Sequence, residues 1–136
     1  MTFDITKKRA AATGDIELKD GDNSPMFDDK GNPLSVTVYS PASKQWEQAT
    51  AEMNRKRAER MRKSGGKVEA ALDNAKADQI EFLCRVTIKL NNFEYPAKEG
   101  DPIRALYEDD ALGYIRDHVY NEVNDWSAFT KASGAN

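Results

Sequence analysis

Hydrophobic and polar positions change period several times along the chain. Asp15-Ile16-Glu17-Leu18-Lys19 alternates charged with apolar residues, and Leu34-Ser35-Val36-Thr37-Val38-Tyr39 alternates apolar with small polar ones. A period of two sends successive side chains to opposite faces, so each run reads as a strand with one buried face. Two clusters of turn formers, Asp20 to Pro25 and Asp28 to Pro33, separate them. Residues 14–39 are therefore expected to form an antiparallel hairpin or a three-stranded sheet. A sheet of that size has to pack on helices.

At Ser40-Pro41 the period changes. Serine at the cap and proline at the first helical position predict a helix that runs to Lys63 and stops at Ser64-Gly65-Gly66. Trp46, Ala49, Met53 and Met61 fall along one stripe of it. A second helix is expected from about Val68, on the spacing of Leu72, Ala75, Gln79, Ile80, Leu83, Val86 and Leu90. Cys84, Val86, Ile88 and Leu90 also alternate with Arg85, Thr87 and Lys89, which would suit a strand. The longer helical period favours helix. Phe93-Glu94-Tyr95-Pro96 is an extended connector, because proline keeps the residue before it out of helical angles.

Asp101-Pro102 opens a short helix, and Asp109 or Asp110 caps the last one. There Leu112, Ile115, Val119, Val123 and Trp126 form a stripe that Phe129 extends. That stripe is expected to pack on the segment from Leu72 to Leu90. The fold class that results is α+β, mainly α: a small N-terminal antiparallel sheet on a bundle of three to four helices. One domain is expected over residues 1–136, with a flexible arm at 1–13, a helical region at 40–130 and a flexible tail at 131–136.

Charge changes this picture more than composition does. The chain has 136 residues, a net charge of -3 and 39% hydrophobic residues, and no apolar run approaches a membrane span. The polar start Met1-Thr2-Phe3-Asp4 lacks the apolar core of a signal peptide, so an intracellular protein is expected. Residues 54–67 hold Arg55, Lys56, Arg57, Arg60, Arg62, Lys63 and Lys67 against Glu59 alone, a net of +6. Residues 101–136 hold seven acids and three bases, a net of -4. A chain divided in this way can bind copies of itself, basic surface to acidic surface, as well as other partners.

Candidate chemistry is sparse. One cysteine, Cys84, forbids an internal disulfide, and one histidine, His118, gives little basis for a metal site or a triad. Cys84 lies in the most apolar stretch, where a free cysteine is usually a small core group; a Cys84–His118 thiol pair is the enzyme alternative. Ser64-Gly65-Gly66-Lys67 lacks the first glycine of a phosphate loop. Glu108, Asp109 and Asp110 are consecutive and so cannot share one helical face. No enzyme activity, cofactor or metal is expected. The candidate partner-binding residues are Arg55, Arg57, Arg60, Arg62 and Lys63 on the basic helix, with Phe93, Tyr95 and Phe129 at element ends. The alternative for the basic helix is nucleic-acid backbone binding.

The order of these features resembles the tail assembly chaperones of lambda-like, long-tailed bacteriophages. The resemblance rests on the strand Leu34 to Tyr39, the turn Ser40-Pro41-Ala42-Ser43 and the Arg-rich helix end at Arg55 to Lys63. It continues in Ile80-Glu81-Phe82-Leu83-Cys84-Arg85-Val86, in Arg104-Ala105-Leu106-Tyr107, and in Ala111 to Val119. Similar proteins commonly carry a tryptophan-glycine pair where this chain has Lys89-Leu90-Asn91-Asn92-Phe93. The resemblance implies a non-structural helper that binds the tape measure protein, keeps it soluble and recruits tail tube subunits. It also implies a place in the host bacterial cytoplasm and absence from the mature virion, while the homo-oligomer is expected from the division of charge along the chain.

Overall fold

The computed structural model describes residues 2–67, 69 and 74–130. The fold is α+β and mainly α, with a three-stranded antiparallel sheet in the order β1-β2-β3. Strands β1 (Thr13–Glu17) and β2 (Ser35–Tyr39) pair with Ile16 opposite Val36, as their alternation requires. Between them, Asp20 and Asp28 each head a turn, and short bridges join Lys19 to Pro25 and Phe27 to Pro33. The expected arm at 1–13 contains a 3-10 turn, Ile5–Lys8, capped by Asp4, and its Ala11 N–H donates to the Phe129 carbonyl.

The third strand comes from elsewhere in the sequence. Helix α2 (Ala75–Val86) passes into strand β3 (Thr87–Asn91) with no loop between them. This corrects the expectation of one helix through Leu90 and of a purely helical region 40–130. Val86-Thr87-Ile88 is a β-branched run that disfavours another helical turn. The second edge of β2 offers these residues a ladder, and β3 takes it, with Ile88 as an extra residue at a bulge. The Thr87 and Tyr107 hydroxyls, 2.8 Å apart and buried, hold the junction. The proposed helix start at Val68, and Leu72, lie outside the described residues, as does the tail at 131–136.

Helix α1 (Lys44–Lys63) begins three residues later than the proline suggested. Ser43, not Ser40, is the cap: its hydroxyl accepts the Trp46 N–H at 3.1 Å. Ser40 instead is buried and heads the preceding turn, with its carbonyl accepting from both the Ser43 N–H and hydroxyl. Asp101 and Pro102 do open a helix, α3 (Pro102–Glu108). Asp109 caps the 3-10 turn Asp110–Leu112, which leads into α4 (Gly113–Val123), and a short α5 (Ser127–Thr130) follows.

One face of the sheet, Ile16, Leu18, Val36 and Val38, joins the core with Phe82, Leu83 and Val86 of α2, Leu106 and Tyr107 of α3, and Ile115, Val119 and Val123 of α4. The other face is polar: Asp15 accepts from the Thr37 hydroxyl, and the Asn91 amide donates to Ser35 and Thr37. Phe82 lies edge-on to both Trp46 and Tyr120, at centroid distances of 6.1 and 5.7 Å. The apolar stripe of the last helix is corrected at its end. Helix α4 stops at Val123, so Trp126 leaves the stripe and is 53% exposed. Phe129 re-enters the core from α5 at 4% exposure.

Candidate functional site

The basic half of α1 is partly neutralised from inside the molecule. Arg55 donates to Glu52 at 2.8 and 2.6 Å and also pairs with Glu59, one turn either side of it on the same helix. Arg57 and Arg60 both reach Asp78 on the first turn of α2, Arg57 through Nε at 3.2 Å and Arg60 through Nη2. Asp78 is 5% exposed. It is therefore a buried carboxylate held by two guanidinium groups, and it ties α1 to α2. The pattern of the sequence did not single it out. The signal it did carry is an acid one turn into the helix, four residues before Phe82 and so on the same face as that core residue.

Arg62, Lys63 and Lys67 are exposed and make no ion pair among the described residues. Beside the Asp78 pairing lies a cleft of about 280 Å³ lined by Lys56, Arg60, Asp78, Glu81, Arg104 and Glu108. Its lining carries charges of both signs. Arg104 donates to Glu81 at 2.9 Å, and this bond holds the Glu81 carboxyl below its usual range.

The aromatic candidates separate. Phe93 and Tyr95 are half-buried against the core, and the Tyr95 hydroxyl donates to Asp109 at 2.9 Å, which raises its pKa. Phe129 was expected at an interface. It is instead a core group, packed under Gly14, and does not present itself to a partner in this structure. Trp126 takes the exposed role that had been given to Phe129. The structure thus joins Arg57 and Arg60 to one acid, and leaves Arg62, Lys63 and Trp126 on the surface.

Cys84 is half-buried, and burial pushes its thiol up to about 11. The charges that act on it are Arg104, Glu81, Asp101 and Glu108. A nucleophilic cysteine needs the opposite shift. His118 Nε2 lies 3.0 Å from the Glu17 carbonyl, to which it donates. Among the described residues, no group of three or more His, Cys, Asp and Glu is placed to hold a metal ion, and no helix is long and apolar enough to cross a membrane.

A groove of about 350 Å³ follows the free edge of β1, lined by Asp15, Ile16, Glu17, Lys19, His118, Glu122 and Ala128. Compared with protein-family models, with curated proteins and with solved structures, the chain finds no match in any of the three.

Proposed function

We propose that this chain is a non-enzymatic tail assembly chaperone of a long-tailed bacteriophage. It binds the tape measure protein, keeps it soluble, and recruits tail tube subunits in the host cytoplasm before leaving the finished virion. The observation that carries this reading is the succession strand Ser35–Tyr39, turn Ser40–Ser43, and a 20-residue helix that becomes Arg-rich in its second half. That is one of the segments on which the resemblance rests. The pairing of Arg57 and Arg60 with Asp78 favours a protein partner over nucleic acid. Two of the cations that would meet phosphate already hold α2, and a phosphate-backbone site depends on the number of free cations.

Co-expression with a tape measure protein tests the reading. The tape measure protein should move from the insoluble to the soluble fraction and co-purify with this chain. An unchanged insoluble fraction overturns the proposal. A gel shift at two salt concentrations tests the nucleic-acid alternative, whose signature is tight binding that falls steeply with salt.

A further inference from the structure

The ladder of β1 fixes which of its backbone groups are free. The Leu18 N–H donates to Leu34 and the Ser40 N–H to Ala12, continuing the pairing of Ile16 with Val36. Hydrogen-bonded pairs alternate along an antiparallel ladder, so the even-numbered residues of β1 face β2. Thr13, Asp15 and Glu17 turn their N–H and C=O groups the other way, to the outer edge. That edge is stopped at both ends: the Ala11 N–H is taken by the Phe129 carbonyl at 2.9 Å, and the Glu17 carbonyl by His118 at 3.0 Å. Between the two stops, the outward groups of Thr13 and Asp15 have no hydrogen-bond partner among the described residues.

The groove described above meets this open stretch at Asp15 and continues past Glu17 to Lys19. Its walls are the strand edge on one side and His118 and Glu122 of α4 with Ala128 of α5 on the other. A slot between a strand edge and a helix is the shape that accepts an extended peptide as one more strand. Three acids line it, Asp15, Glu17 and Glu122, against one lysine, Lys19. The apolar floor is small: it is the foot of the far wall at half-buried Ala128, with Ile16 beneath at 4% exposure. Side chains of an added strand alternate between faces. One row would lie on that floor and the other would meet the acids.

We infer that the β1 edge is a docking site for an extended segment of another protein in which basic and apolar residues alternate, bound by strand addition. This goes beyond the chaperone reading and does not rest on it, because it uses only the edge geometry and the charges around it.

The test uses the whole chain and a fluorescein-labelled peptide of alternating lysine and valine, ~5 residues long to fit between the two stops. The peptide should bind and should slow amide hydrogen exchange at Thr13 and Asp15. Methylating alternate peptide nitrogens should weaken binding about tenfold or more, since it removes the ladder donors. Asp15→Pro removes an outward N–H where an edge strand tolerates proline, so the fold should persist while binding falls. Glu122→Lys, on the opposite wall, should weaken the lysine peptide and improve its glutamate counterpart.

No binding overturns the inference, and so does binding indifferent to methylation. Thr13 and Asp15 amides already protected in the dilute free chain would show the edge covered from within and would also overturn it. Protection that rises with concentration of the chain alone would assign the edge to a second copy instead.

Discussion

At Gly14 an added Cβ would lie 2.8 Å from Phe129 Cδ1 and 2.9 Å from Cε1, so the α5 aromatic ring occupies the place a side chain would take. Gly14→Ala should destabilise by about 1–3 kcal/mol through overpacking, despite alanine's better strand propensity. Adding Phe129→Leu should restore part of the loss; thermal melts of the three variants measure it. Asp78 carries a second prediction at this scale. Asp78→Asn leaves Arg57 and Arg60 without their shared anion, a loss of about 3 kcal/mol for a buried pair, reduced here because both arginines are partly exposed. Urea titration should show it, and Arg57→Gln alone should cost much less. Cys84 gives a prediction in pH. With its thiol pushed up to about 11, alkylation in the native state at pH 8 should be about a hundredfold slower than in the unfolded chain. A raised thiol value in the folded state favours folding in full below the unfolded value, and this is lost as pH climbs toward about 11. The stability difference between wild type and Cys84→Ala should therefore shrink across that window.

Among the elements, the strands at 13–17 and 35–39 and the helix at Pro102 were legible in the sequence, because each combines a clear period with a local stop or cap. The start of α1 was less so. Ser40-Pro41 and Ser43 are both serine caps by type, and only the chain direction set by β2 decides between them. Ser43→Ala should cost about 1 kcal/mol by losing a helix cap, measurable as a lower melting temperature. Residues 84–90 satisfied two periods at once. What resolved them was an unpaired edge on β2, a long-range fact that no local window contains. On β3, Lys89 faces the β2 ladder opposite Thr37. Lys89→Pro should therefore destabilise by about 3 kcal/mol, and Lys89→Ala hardly at all. Of the candidate site, the cations were visible as a run, but their partner was not. Asp78 lies 18 residues beyond Arg60, and nothing in local spacing couples the two. Phe129 and Trp126 exchanged roles because helix α4 ends at Val123, where neither glycine nor proline marks a stop.

For the molecule as a whole, the internal ion pairs change what charge can do in self-association. Arg57 and Arg60 hold α1 to α2, so altering them would confuse loss of folding with loss of assembly. Arg62→Glu with Lys63→Glu, both exposed, is the cleaner change. If acidic and basic surfaces of different copies meet, sedimentation at several concentrations should show oligomers that weaken in this variant and in high salt, since exposed charges act over only ~8 Å at physiological ionic strength. The loopless junction at Val86 and Thr87 has a consequence for how the chain can vary in length. One residue inserted there would turn every core side chain of β3 to the opposite face. Shifting it into α2 would instead rotate Phe82 and Leu83 by about 100° relative to the sheet. Neither phase can slip without the other. Insertions and deletions should therefore accumulate in the turns around Asp22 and Asp29, while the span from Asp78 to Asn91 keeps a fixed count of residues.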